Sequence, residues 1–466
     1  MSFWIPQLEG RKGPVYRVIV EAMAEDIAQG RLKAGDRLPP HRDLSWKLGC
    51  TVGTIARAYN EAARQGLISG QVGRGTYVQG PVTDEARHIH DYVASRRLDD
   101  EMAAVDMAVN RPMGDNCAGP MAEALRRLSG HNNLAEMLGY QFDGVGARYR
   151  QAMALWLRRE GVEVSPERVI LTVGGQQAIL ATLAALSRPG DTIFAEELTY
   201  PGLKVSASLL DRPVEGVAMD AFGLLPDALD QAFASGKGKL VYAMPTIQNP
   251  TTLVMPAERR RDIVEVLRRH DAYLVEDGIY AFLADQPPPP LWSMAPDRVI
   301  YLTSLSKAVA PGLRLGTVIA PDQLMNRITS NVSASTMMVP ALLCELGSML
   351  IEEGSAAAAA ERQKADARQR VRLAVEAFQG RFCPPGPSFN LWVSMPPQWQ
   401  AEAFAAEAYR RGVIVAPAAS FATTRRVPEA VRVSISSPRS HDELGRGVKV
   451  LAEILDAAPE IGRITV

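Results

Sequence analysis

The chain has 466 residues, 47% hydrophobic and 22% charged, with a formal net charge of −1. That balance belongs to a folded globular protein of several structural units and excludes a disordered or fibrous chain. Cys50, Cys117, Cys344 and Cys383 lie far apart with neither CxxC nor zinc spacing, so no disulfide framework and no metal site is expected, and the cytoplasm is the expected compartment. The opening MSFWIPQLEG lacks a basic start followed by an apolar run, and no apolar stretch is long enough to cross a membrane, so neither a secretion signal nor a membrane span is expected.

Residues 1–80 carry eleven Lys and Arg against seven Asp and Glu, which leaves the remainder acidic. A basic head on an acidic body suits a polyanionic partner for the head; an ordinary solvated surface gives the same count. From Pro14 to about Gln29, Val15, Ile19, Ala22, Met23 and Ile27 recur at helical spacing. GRLKAGDRLPP then turns the chain. A second helix fits His41–Leu48, Gly49 suits a tight turn, and Thr51 suits the N-cap of a third helix over 52–65. The inward face of that helix is Val52, Ile55, Tyr59 and Ala62 or Ala63. Leu67-Ile68-Ser69 and Thr76-Tyr77-Val78 flank a glycine turn and read as a hairpin.

Three short helices and a hairpin form a winged helix-turn-helix, whose third helix enters the DNA major groove N-terminus first. Thr51, Gly53, Thr54 and Arg57 are then nearest bases or phosphates, Arg42 suits a phosphate contact, and Arg74 sits at the hairpin tip. A small helical interaction domain is the alternative. Residues 13–78, through GRLKAGDRLPPHRDLSWKLG, TVGTIARAYNEAARQGLI and GRGTYV, closely resemble the DNA-binding head of GntR-type bacterial regulators. His41 departs from that pattern, where acidic or small polar residues are usual. The resemblance implies a double-stranded DNA operator as partner.

Residues 79–105 read as a linker. Its His88 and His90 are more simply solvated than metal-binding. From about residue 106 the pattern changes to an α/β layer with a mostly parallel sheet. Strands fit Val169–Val173, Thr192–Ala195, Leu240–Met244, Ala272–Val275, Val299–Leu302 and Thr317–Ala320; helices fit Gln176–Leu186 and Ala257–His270. From about residue 348 a smaller domain is expected, with an Ala- and Arg-rich helix and strands near Asn390–Val393 and Ala430–Ile435.

Five motifs follow strands: TVGGQQ at 172–177, LTYPG at 198–202, QNPT at 248–251, VEDGIY at 275–280, and SLSK at 304–307 with PGLRLG at 311–316. Each alone has a plain reading as a turn. Together they supply a phosphate cradle, a ring partner, an amide, a carboxylate and a lysine, the set that pyridoxal 5'-phosphate requires. Strand C-termini are where an open α/β sheet places such a site.

Residues 106–466 resemble fold-type I aminotransferases throughout. The resemblance implies that Lys307 forms the Schiff base with the cofactor and that Asp277 pairs with its ring nitrogen. It implies that Asn249 and Tyr280 hold the ring hydroxyl and that Tyr200 stacks on the ring. Gly175, Gln176, Ser304, Ser306 and Arg314 then surround the phosphate, and Arg432 grips a substrate or effector carboxylate. Thr252 and Gly278 depart from the commonest pattern, at the positions after NPT and after the Glu-Asp pair. A GntR-type head on an aminotransferase-like body is similar to the MocR group of regulators. That similarity implies a homodimeric transcription factor that senses an amine, an amino acid or pyridoxal phosphate itself. A working aminotransferase carrying a DNA-binding head is the alternative.

Overall fold

A computed structural model describes residues 4–8, 14–33, 36–64, 67–71, 75–78, 105–113, 116–130, 133–140, 146–424 and 426–457. The chain divides into two compact units, Met1–Arg97 and Leu98–Val466. Residues 79–104 of the linker and Arg74 at the hairpin tip lie outside the described residues, whereas Val105, read as the end of the linker, lies in a strand of the body.

The head contains helices α1 (Val15–Ala28), α2 (His41–Leu48) and α3 (Val52–Arg64) and the antiparallel pair β1 (Ile68–Gln71) and β2 (Gly75–Val78). Its core is Ile19, Met23, Leu38, Leu44, Ile55, Ala58, Tyr59 and Ala62 among others. On α3 the buried stripe is Ile55, Ala58, Tyr59 and Ala62, the i, i+3, i+4, i+7 spacing of one helix face. Val52, expected inside, is 45% exposed and is the first residue of the helix, one turn ahead of the buried stripe. Gly49 takes the left-handed turn at φ 64°. Thr51 caps α3, its Oγ1 accepting from Thr54 N at 3.1 Å. The stretch read as a plain turn also supplies a third edge to the wing. Arg37 bridges Tyr77, and Leu38 N donates to Thr76 O at 2.8 Å.

The body is built on a seven-stranded sheet. Its first element is the two-residue strand β3 (Val105–Asp106), which belongs to the smaller lobe. The sheet strands are β4 (Val169–Thr172), β5 (Ile193–Glu196), β6 (Val214–Val217), β7 (Leu240–Ala243), β8 (Tyr273–Asp277), β9 (Val299–Ser304) and β10 (Gly316–Ile319). Their order is β4-β10-β9-β8-β7-β5-β6. Only β10 runs antiparallel to its neighbours; the other pairings are parallel. Val169 and Leu171 face one core and Ile170 the other, and Leu274 and Val275 divide in the same way. This period-2 alternation between two covered faces explains the continuous apolar runs. Helix α4 (Ala147–Arg159) serves the first core, and α5 (Gly175–Leu186) the second.

A third core defines the smaller lobe. It joins the end of α6 (Ser355–Ala377), β11 (Asn390–Ser394), β12 (Val413–Ile414), β13 (Ala430–Ser434) and α7 (His441–Asp456). Ala356, Ala359 and Ala360 of α6 still pack in the first core, and the lobe's own core takes up that helix from Val371 onward. The boundary therefore falls inside α6, later than residue 348. Val105 and Met107 also belong to this lobe, because β3 pairs with β12. A two-residue strand leaves no periodic signal in sequence. Among the described residues no helix is long and apolar enough to cross a membrane, and no group of three or more metal-ligating side chains forms.

Candidate cofactor site and nucleic-acid interface

The parallel strands end together, and their C-terminal residues meet the N-terminal end of β10. Thr172 and Ser304 are the register partners of Gly316. A Cβ on Gly316 would lie 2.8 Å from the carbonyl carbon of Gly174 and 2.9 Å from Thr172 Oγ1, so only glycine admits this approach. Gly174, at φ 78°, turns the chain into α5 and leaves the first N–H groups of that helix, from Gly175 onward, unbonded within it. Arg314 crosses the turn. Its Nη2 donates to Val173 O at 3.2 Å and its Nη1 to Ser306 Oγ at 3.5 Å. Ser306 N donates in turn to Ser304 Oγ at 3.2 Å. Two hydroxyls, a guanidinium and a helix start thus form one anion-binding end.

Asp277, the last residue of β8, is 3% exposed. Its Oδ2 accepts from the Tyr242 hydroxyl at 2.5 Å and its Oδ1 from Ile279 N at 3.0 Å. Burial pushes this carboxyl up to about 6 against those two donors. Glu196, ending β5, is buried and accepts from Met244 N and Gln248 Nε2. Burial raises it to about 7, with the Asp277 charge adding to the rise.

Lys307 follows β9 by three residues and donates from Nζ to the main-chain oxygen of Asn110 at 2.5 Å. Asn110 Nδ2 donates to the Tyr280 hydroxyl and to Asn390 Oδ1, both at 3.0 Å. Asn390 Nδ2 donates to Pro250 O at 2.7 Å, beside Asn249. Asn249 Oδ1 accepts from Arg432 Nη1 at 2.7 Å, and Arg432 Nη2 donates to Ala108 O. The Arg432 guanidinium lies over the Phe421 ring, 4.6 Å from its centroid. Burial lowers it to about 10, and its Nε is buried without a partner.

Tyr200 and Gln176 meet beside this chain of contacts. The Tyr200 hydroxyl donates to Gln176 Oε1 at 3.2 Å, while Gln176 Nε2 donates to Gly202 O and Ser206 Oγ at 2.8 Å. The buried amine of Lys204, lowered to about 8 by burial, donates to Ser420 O and Ala422 O. It thereby ties the loop that carries Phe421.

Of the pocket residues read from sequence, Asp277 and Ser304 end strands of the large sheet, Gly175, Gln176, Tyr200, Asn249, Tyr280, Ser306, Lys307 and Arg314 lie in the segments that join its strands, and Arg432 lies within β13 of the smaller lobe. Tyr242, Asn110 and Asn390 were not read from sequence, because each lies outside a turn motif. The residues fit pyridoxal phosphate on their own chemistry. An anion-binding end, a buried carboxylate and a primary amine occur together, and the close approach of Gly174 and Gly316 leaves no room there for a side chain.

In the head, Arg42, Thr51, Gly53 and Arg57 are exposed and Thr54 is half-buried, along the start of α2 and one side of α3. The Arg57 guanidinium lies 4.1 Å from the centroid of the Tyr16 ring, which holds it on α1. His41 packs against Tyr59 at 4.8 Å between ring centroids. That contact accounts for an aromatic ring at a position where small residues are usual.

The family model described as aminotransferase class I and II matches residues 104–451, and that of the bacterial regulatory proteins of the gntR family matches residues 15–78. The chain belongs to the aminotransferase class I and II family, joined to a gntR-family head in the manner of MocR-type regulators. An uncharacterized HTH-type transcriptional regulator of Bacillus subtilis, YdeF, is 31% identical over 97% of both chains. The probable rhizopine catabolism regulatory protein MocR of Rhizobium meliloti is 29% identical over 71% of this chain and 70% of its own. Among solved structures, an archaeal alanine:glyoxylate aminotransferase superposes with a TM-score of 0.71 at 23% identity, covering 85% of this chain and 98% of that one. The body is thus a pyridoxal phosphate domain and the head a DNA-binding domain of a transcriptional regulator.

Proposed function

We propose that the body senses a primary amine bearing a carboxylate, or pyridoxal phosphate itself, at Lys307, and that the outcome alters DNA binding by a homodimer in the cytoplasm. The observation that carries this reading is the chain of contacts from Lys307 through Asn110 and Asn390 to Asn249 and Arg432. It puts an amine and a buried guanidinium in one connected set.

Bound pyridoxal phosphate supplies an aldehyde that condenses with primary amines and a ring that withdraws electrons. The protein's own residues do the rest. Arg314, Ser304, Ser306 and the N–H groups from Gly175 onward hold the phosphate. Asp277 would pair with the ring nitrogen and favour its protonated form; the Tyr242 hydroxyl keeps the carboxylate in place. Asn249 and Tyr280 would hold the ring hydroxyl and Tyr200 would cover the ring, with Gln176 fixing Tyr200. Lys307 would hold the cofactor through its aldehyde and would be the amine with which an effector amine competes. Arg432 is desolvated, so an effector carboxylate meets a strong partner there. In the head, Arg42, Thr51, Gly53, Thr54 and Arg57 contact operator DNA, and Arg74 extends the wing contact.

The same residues favour a second reading, a working aminotransferase, because Lys307, Asp277 and Arg432 make a complete catalytic set. An absorbance titration of the pyridoxal phosphate form with a panel of amino acids and amines separates the two. A spectral change that settles and holds, with no keto acid released, supports the sensor. Continuous conversion with keto acid release supports the aminotransferase.

A further inference from the structure

The chain leaves the 79–104 span and, within six residues, passes between the reactive lysine and the smaller lobe. Two of its main-chain oxygens accept from the two cationic groups of the site. Asn110 O accepts from Lys307 Nζ at 2.5 Å, and Ala108 O accepts from Arg432 Nη2. On the other side the smaller lobe holds the same segment. Ser434 Oγ donates to Val109 O at 3.0 Å, and Arg111 N donates to Ser436 Oγ at 3.1 Å. The Asn110 side chain is the cross-tie. It is 4% exposed, bonded to Tyr280 in the large domain and to Asn390 in the smaller lobe. Its Oδ1 is buried with no partner.

We propose that Asn110 is a positioning residue for Lys307 and Tyr280, and that through it occupancy of the site is passed to the segment that continues into the DNA-binding head. The inference rests on the reading of Lys307 as the cofactor lysine. An amine engaged by the cofactor's aldehyde no longer has the free N–H groups that it donates to Asn110 O. An effector carboxylate on Arg432 competes with Ala108 O in the same way. Both are charge-assisted bonds to part-buried carbonyls, and a carbonyl withdrawn from water and left unpaired is costly. The Ala108 and Asn110 carbonyls therefore lose these partners when the site fills, while Val109 and Arg111 stay tied to the smaller lobe. Residue 105 is where the joining span is anchored, so any such change is delivered to that span by chain continuity. Coupling then follows from differential affinity of the two arrangements for the ligand.

The test uses the full chain, pyridoxal phosphate as ligand, and an operator fragment selected by the wild type from a random DNA pool. Wild type and Asn110→Ala are compared with and without the ligand. Three quantities are read: DNA affinity, the pH dependence of the bound-cofactor absorbance, and hydrogen exchange over residues 105–113. The expected result is a ligand-dependent change in wild-type DNA affinity of about fivefold or more, reduced below about twofold in Asn110→Ala. Asn110→Ala should still bind the ligand with a shifted pH profile, and wild-type exchange over 105–113 should change on loading. An Asn110→Ala protein that keeps the wild-type response overturns the proposal. So does a wild type that shows the cofactor absorbance without any change in DNA affinity; that result leaves the cofactor reading standing. A wild type with no cofactor absorbance overturns both. If Asn110→Ala does not fold, the wild-type exchange decides against Lys307→Ala: a loading-dependent change absent from the variant supports the proposal, and an unchanged segment in both overturns it.

Discussion

Asp277 shows how much of the site depends on partners remote in sequence. The carboxylate is legible in VEDGIY because it ends a strand. The Tyr242 hydroxyl that fixes it comes from 35 residues earlier, on the neighbouring strand. Asn110 and Asn390 meet across 280 residues, and no local pattern marks either. Gly278 was legible only as a departure from the usual motif. A Cβ there would overlap the Tyr301 hydroxyl, which explains the glycine. Tyr242→Phe removes one hydrogen bond to a buried charge and should weaken pyridoxal phosphate binding by about 1–3 kcal/mol, measured by titration; unchanged affinity removes Tyr242 from the site. Arg57→Ala should weaken operator binding by about 1–3 kcal/mol if the side chain reads a base. Fluorescence anisotropy measures this, and an unaltered Kd strikes Arg57 from the interface.

At the scale of elements, the central strands were legible because both of their faces are covered. The half-buried edge strand Val214–Val217 and the two-residue strand Val105–Asp106 were not, since neither has a long enough apolar run. A hydrogen-bond network beneath the sheet has a consequence for pH. Glu160, after α4, accepts from Trp156 Nε1 at 3.0 Å, Tyr301 Oη at 2.7 Å and Thr303 Oγ1 at 3.2 Å, with no cation bonded to it among the described residues. Burial outweighs these donors and raises the carboxyl to about 7. The folded chain therefore holds this proton to higher pH than the unfolded chain. The stability this confers is complete below about 4.5 and is lost as pH rises through about 7. Glu160 alone should cost the cofactor-free protein about 2–3 kcal/mol between pH 5 and pH 8. Glu160→Gln should flatten that part of the profile in denaturant melts; a variant with the wild-type slope would assign the pH dependence elsewhere.

For the whole molecule, the division into a basic head and an acidic body was legible from charge and motif, and the order of domains followed from it. The smaller lobe was legible only in part, because it closes on itself through residues at both ends of the body, Val105 and Met107 with Val413 and Val431. A head that docks through Arg42, Arg57 and their neighbours should lose DNA affinity steeply with salt through counterion release. A flat salt dependence would argue that phosphate contacts do not dominate the docking. The union of head and body in one chain has its plainest use if occupancy of Lys307 changes DNA binding.

The most direct measurement is the operator affinity of the full chain with and without pyridoxal phosphate, for wild type and Lys307→Ala side by side. The expected result is a ligand-dependent shift in wild-type Kd that is absent from Lys307→Ala, together with loss of the lysine-bound cofactor's visible absorbance in the variant. An equal shift in both proteins, or a visible band that survives the substitution, would contradict the assignment of Lys307 as the sensing residue.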